Sequence, residues 1–173
     1  MEKIKKLIHV SIFAALTAVG AYIVIPIGPV PITLQNVFVL LSGYALGSKK
    51  GALSQIVYII IGLIGIPVYA RGGSGLGHLL GPTGGYIFGF VVSAVCVGGI
   101  IKNPRNAGII RIFLGFALGI LAIYVCGTIQ LMFVSELNLH KAVSIGVLPF
   151  IPIDLLKIII LTIIIRYIRQ EKA

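Results

Sequence analysis

The sequence predicts an all-α membrane protein, a bundle of six transmembrane helices with both termini cytoplasmic and a glycine-rich outer loop lining a ligand pocket. Three observations predict it. The 173 residues are 58% hydrophobic and only 10% charged, with a mean hydropathy of +1.13, a balance that soluble domains of this size do not show. The apolar residues fall into long runs separated by short basic or turn-forming stretches, as membrane spans require. With six spans, eleven of the 14 Lys and Arg residues lie on the side of the two termini and only Arg71, Lys141 and Lys157 on the other, the bias that marks cytoplasmic loops. The same placement explains the net charge of +10 without nucleic acid, leaving the lipid bilayer as its partner.

Residues 7–25 hold no charge and stop at Pro26, giving span one. The preceding MEKIKK imitates a signal peptide, but further spans follow at once, so the segment is expected to stay as a helix. Span two, 32–47, opens on Thr33, Gln35 and Asn36 and closes at Lys49-Lys50; span three, 52–66, runs into Pro67. Both fall short of the roughly 30 Å of a hydrocarbon core, at 1.5 Å per residue. The missing length lies on the outer side, where the turn PIGPVPITLQN and the glycine-rich passage can dip inward and line one cavity. Span four is 84–101, closed by Lys102-Asn103-Pro104-Arg105-Asn106, and span five is 112–133. The polar loop 135–141 leads to the last apolar run, 145–168, in which Pro149 and Pro152 delay the start of span six to about Pro152. No repeat, linker or second domain is visible, so residues 1–173 read as one integral membrane domain.

The passage 65–89 is the longest expected non-helical stretch, with nine glycines and two prolines. Irregular backbone beside a bilayer is tolerated where protein buries it or a cavity hydrates it. It carries Arg71, the one arginine on the outer side, suited to a carboxylate, and Tyr86 at the entry to span four. Glycines such as Gly73 and Gly85 let a ligand approach the backbone. Thr33 and Gln35 face the same side and, with Asn36, supply polar groups beside aromatic ones. Asp154 and Lys157, three residues apart, share one face of span six at membrane depth. Each costs roughly 2.5–3.5 kcal/mol to insert at mid-helix, which calls for either a mutual salt bridge or ligand contacts.

Several chemistries are excluded. The four acidic residues assemble no Ser-His-Asp, Cys-His or paired-carboxylate arrangement, so no catalytic residues are expected and the chain is not read as an enzyme. His9, His78 and His140 are too scattered for a metal, and none is read as a ligand. Cys96 and Cys126 read as small apolar fillers. The glycine-rich passage lacks the ending of a Walker motif, so no nucleotide is expected on this chain. Ala14 and Ala18 share the small-xxx-small spacing by which helices approach closely, as do Gly43/Gly47, Gly85/Gly89 and Gly115/Gly119.

Taken in order between short spans, PVPITLQN at 29–36, GLIGIPVYARGGSGLGHLLGPTGGYIFGF at 62–90 and PFIPIDLLK at 149–157 resemble the BioY family, the biotin-specific substrate-binding (S) components of energy-coupling factor (ECF) transporters. The likeness covers nearly the whole chain. It implies a six-helix bundle in the cytoplasmic membrane that binds biotin from outside. It also implies a membrane-embedded coupling (T) subunit, docked on the small-residue face of helix one at Ala14 and Ala18, and two cytoplasmic ATPase subunits that consume the ATP. Asp154 would then accept from the ureido N–H groups and Lys157 donate to the ureido carbonyl. Tyr86 would cover the ring, and Arg71 or a loop amide would meet the valerate carboxylate; the reverse orientation, with Lys157 on the carboxylate, stays open. The competing readings are an S component for another vitamin and a solitary secondary transporter of biotin.

Overall fold

The computed structural model describes residues 2–26 and 30–170, the side chains of residues 2 and 3 excepted. Gly28 and Pro29 of the predicted outer turn and Lys172 of the basic tail lie outside the described residues. Seven α-helices follow in order: α1 (Glu2–Tyr22), α2 (Gln35–Leu63), α3 (Gly75–Leu80), α4 (Gly84–Ile100), α5 (Ile109–Val134), α6 (Leu139–Gly146) and α7 (Ile151–Gln170). Two short strands, β1 (Val24–Ile25) and β2 (Ile32–Thr33), pair antiparallel between α1 and α2.

Helix α2 is a hairpin. Gly47 sits at φ 77°, ψ 174°, a conformation open in practice to glycine alone, and it reverses the chain between an arm at 35–46 and one at 48–63. The reversal brings Gly51 so close to Gly43 that a Cβ on Gly51 would stand 3.0 Å from the Gly43 backbone. Between the arms runs a buried polar chain in which Gln55 donates from Nε2 to Ser42 Oγ (3.1 Å) and accepts from Thr17 of α1 (3.3 Å). The segments expected as spans two and three fall on these arms, the second running 48–63 rather than 52–66, and a single glycine makes the turn between them.

The arms pack against α1 and α4, α4 packs along α5, and α5 supports α6 and α7. Gly43 and Gly119 allow close approach to α4; a Cβ on Gly43 would press on the Ala94 carbonyl at 2.7 Å. Inside is one aliphatic and aromatic core. Outside, α5 presents Leu114, Leu118, Leu121, Val125 and Ile129 at helical spacing, and α7 presents Leu156, Ile159, Ile160 and Ile163, all exposed. This is the pattern of helices facing hydrocarbon. By length and composition, Ile4–Tyr22 and Ile109–Val134 are each sufficient to cross a membrane, and α6 with α7, bent by 49° at their break, pass together.

One end of the bundle collects the basic residues. The hollow between α1 and the Gly47 turn is lined by Lys5, Lys6 and Lys50, Tyr44 reaches the Pro104 carbonyl, and Arg169 donates to the Ala107 carbonyl at 2.7 Å. The other end holds the ribbon, the glycine-rich passage and α6.

The sequence expectation misplaces several boundaries. Helix α1 stops at Tyr22, short of Ile25, and α2 starts at Gln35 rather than Ile32, because residues 24–25 and 32–33 pair as a ribbon. The passage 65–89 contains α3 and the 3₁₀ turn Ala70–Gly72, so it is interrupted rather than non-helical. The loop 135–141 leads directly into α6, whose N-cap Asn138 accepts from the Lys141 N–H at 2.9 Å. Ala14 is buried and Ala18 half-buried, and both line the floor of a groove between α1 and the 48–63 arm.

Substituting Gly47→Ala forces a side chain into a glycine-only conformation and is expected to cost about 1–3 kcal/mol. Thermal unfolding in detergent checks this, with Gly77→Ala, which meets nothing within 4 Å, as the milder comparison.

Candidate ligand-binding site

At the ribbon end, α2, α3, α4, α5 and α7 surround a cavity enclosing about 570 Å³, its mouth included. A largely apolar concavity on which a few polar groups converge is the kind of site that takes a small-molecule ligand. One wall is polar, and Asp154 is its centre. The residue lies in the first turn of α7, where the helix dipole favours a carboxylate, and it is only 2% exposed. Lys157, one turn on, pairs with Oδ1 at 2.8 Å and also donates to the Thr33 carbonyl of β2 at 2.8 Å. The Tyr124 hydroxyl of α5 donates to Oδ2 at 2.7 Å, and Asn36 Nδ2 lies 3.3 and 3.4 Å from the two oxygens. A buried charge requires this kind of full pairing.

The facing wall is aromatic and aliphatic: Tyr86, Ile87 and Phe90 from α4, Ile123 from α5, and Phe150 just before α7. The ring of Tyr86 lies against Gly127 and its hydroxyl against Gly146, where any Cβ would collide with it, and the hydroxyl donates to the Gly146 carbonyl at 2.9 Å. His78 of α3 closes the side nearest the loop, its ring stacked on Tyr69 at 5.3 Å.

The predicted site residues divide. Asp154, Lys157, Tyr86, Gln35 and Thr33 all line the cavity. Gln35 is already engaged, accepting from Thr33 Oγ1 at 3.1 Å and donating to the Tyr58 hydroxyl, which in turn holds the Val68 carbonyl at 3.1 Å. It ties α2 to the start of the loop. Arg71 and Gly73 line a separate outer hollow that shares Pro31, Ala70, His78 and Thr83 with the cavity. Arg71 adopts φ 60° within the 3₁₀ turn and is exposed, and Gly73 is where the His78 ring needs the space of a missing Cβ. Gly85 does not line the cavity. Its Cα faces α5, and a Cβ there would strike the Cys126 carbonyl and Gln130, so it serves the α4–α5 contact.

Tyr124, Phe150 and His78 escape the sequence reading as ligand-facing residues. A signal existed for Tyr124, since it lies in the middle of a span while tyrosines ordinarily gather at the interfaces. His78 carries no such signal, because its stacking on Tyr69, nine residues earlier, arises only once the loop is folded. Among the described residues no group of His, Cys, Asp and Glu could hold a metal ion.

A helical bundle clad in exposed aliphatic side chains around a cavity with one polar wall has the features of a multi-pass membrane protein that binds a solute. The model of the BioY family matches residues 1–173, and the chain belongs to that family. It is 41% identical over 160 residues to the biotin transporter BioY of Thermotoga maritima, covering 92% of this chain and 93% of the relative. It is 44% identical over 155 residues to the probable biotin transporter BioY of Pyrococcus horikoshii, covering 90% of each. A crystal structure of the S-component for biotin from an ECF-type ABC transporter superposes with a TM-score of 0.88 at 31% identity, over 98% of this chain and 93% of that one.

Two outcomes follow from the site. Tyr124→Phe removes a hydrogen bond to a buried carboxylate and should lower stability by about 1.5–3 kcal/mol, read from the denaturation midpoint in detergent. Desolvation holds the His78 imidazole below its ordinary 6.5, so between its folded value and 6.5 the unfolded chain binds more protons than the folded one. Stability is therefore expected to decline as pH falls below 6.5, and His78→Gln should flatten that decline when midpoints are compared from pH 7.5 to 5.

Proposed function

We propose that this chain binds biotin from outside the cell and takes it up as the substrate-specific S component of an ECF-type ABC transporter. The observation that carries the proposal is the likeness, over 98% of the chain, to a biotin S-component. On this reading residues 1–173 form one membrane-embedded unit of six spans, namely α1, the two arms of α2, α4, α5 and α7, in the cytoplasmic membrane. The basic end, with both termini, is cytoplasmic, supported by its excess of lysine and arginine. The partners are a membrane-embedded coupling subunit and two cytoplasmic ATPase subunits, which supply the ATP hydrolysis. The coupling subunit docks along the α1 groove floored by Ala14 and Ala18. This chain itself performs no covalent chemistry.

Biotin offers two ureido N–H donors, a ureido carbonyl, an apolar bicycle and a valerate carboxylate. Asp154 is assigned as acceptor of the N–H groups and Lys157 as donor to the carbonyl, with Tyr86 and Phe90 covering the bicycle and Thr33 and Gln35 shaping the polar wall. The carboxylate points to the mouth, where Arg71, His78 and the backbone around Gly73 line the outer hollow. The reverse orientation would set the valerate carboxylate beside Asp154, bringing two anions together in a buried site. Electrostatics therefore favours the ureido ring at Asp154.

Equilibrium binding of radiolabelled biotin to the purified chain in detergent, without ATP or other subunits, tests the reading. Saturable binding near one ligand per chain, undisturbed by riboflavin or thiamine, is expected. Asp154→Asn should weaken it by about 10- to 100-fold, the worth of charge-assisted hydrogen bonds. Undiminished binding by that variant would overturn the assignment of Asp154, and displacement by another vitamin would overturn the choice of biotin.

A further inference from the structure

The cavity is charged on one wall only. Lys157, the one lysine or arginine among the described residues that line it, is committed to Asp154 Oδ1 and to the Thr33 carbonyl, both at 2.8 Å. The side nearest the loop is bounded by Pro31, Ala70, His78 and Thr83, and these four also line the outer hollow of about 460 Å³, its open face included. The two spaces therefore abut along these side chains, with no further layer of protein between them. All four residues are half-buried, standing between interior and solvent. We propose that the site takes carboxyl amides of biotin as well as biotin itself, the added chain leaving through the outer hollow. This inference rests on the assignment of biotin to the cavity with its ureido ring at Asp154.

The groups that a ligand's tail meets on the loop side decide which tails are accepted. Pro31, Ala70 and Thr83 carry no charge, and desolvation holds the His78 imidazole below its ordinary 6.5, which leaves it neutral at physiological pH. A carboxylate arriving there finds hydrogen-bonding groups but no cation in the cavity lining to pair with, and an anion is the costlier group to desolvate. A secondary amide is neutral and brings one N–H donor and one carbonyl acceptor.

Thr83 and His78 can meet both. Thr83 is the N-cap of α4, yet its hydroxyl makes no capping hydrogen bond, so it is available to a ligand. The His78 ring donates from one nitrogen and accepts at the other. The amide therefore replaces the carboxylate without stranding a buried charged partner. Arg71 at the exposed rim and the N-terminus of α4 favour an anion, a preference for the free acid that solvent screens. Beyond the shared residues the hollow is bounded by Arg71 and Gly73, which leaves an unbranched alkyl chain a path outward.

Displacement of radiolabelled biotin from the purified full chain in detergent tests the proposal, with unlabelled biotin, biotinamide and biocytin, the amide of biotin with the lysine side chain, as competitors. Both amides are expected to displace the label with dissociation constants within about tenfold of that of biotin. A larger loss for both would show the carboxylate to be required and would overturn the proposal. Biotinamide accepted with biocytin excluded would overturn the exit through the outer hollow. Ala70→Leu and Thr83→Leu narrow the shared boundary from different elements, and each is expected to weaken biocytin at least about fivefold more than biotinamide. Equal losses of the two amides in both variants would overturn the route. If biotin itself does not bind, the vitamin assignment falls; if biotin binds and the amides do not displace it, this proposal alone falls.

Discussion

A carboxylate buried inside a membrane bundle must be paired and hydrogen-bonded, or it takes up a proton and loses its charge. Asp154 meets that demand with groups drawn from four separate elements: Lys157 on its own helix, Tyr124 on α5, Asn36 on α2 and, through Lys157, the Thr33 carbonyl of the ribbon. The requirement thus fixes more than one side chain. It holds α7 against α5 and α2 and fastens the ribbon across the cavity, so the polar wall is built by the same bonds that neutralise the charge.

The remaining walls depend on how closely the helices approach. Gly127 makes the space occupied by the Tyr86 ring and Gly146 that of its hydroxyl, and Gly62 makes room for Tyr69, where a Cβ would overlap the ring. Large aromatics are seated against bare backbone, which lets short helices enclose a solute without long side chains filling the middle. Gln130 completes the outer wall by donating to the carbonyls of both Leu79 and Gly81 at 2.7 Å, which anchors the α3 turn to α5.

The sequence reveals the helices and the Asp154–Lys157 pair because both depend on local properties. Uninterrupted apolar runs are visible in one dimension, and two opposite charges three residues apart in such a run cannot be overlooked. The ribbon was hidden, since two-residue strands have no periodicity to detect. The partners of Asp154 were hidden for a related reason: Tyr124 is 30 residues away and Asn36 is 118, and only tertiary packing brings them to the carboxylate. Gly85 misled because glycine in a flexible-looking passage serves helix contact as readily as ligand approach. Ala14 raised the same ambiguity, and its burial shows that small residues on a span can face inward to a neighbour.

The hairpin at Gly47 bears on how the chain is assembled in a bilayer. Its arms, at 35–46 and 48–63, measure about 18 and 24 Å at 1.5 Å per residue, and neither spans roughly 30 Å of hydrocarbon unaided. Each also carries polar groups that are satisfied across the turn: Gln55 with Ser42, and Gln35 with Tyr58. An arm entering the lipid by itself would expose those groups and fall short of the far surface. On the proposed six-span reading, the two therefore favour entry as a closed pair, pressed together at Gly43 and Gly51, rather than as single helices.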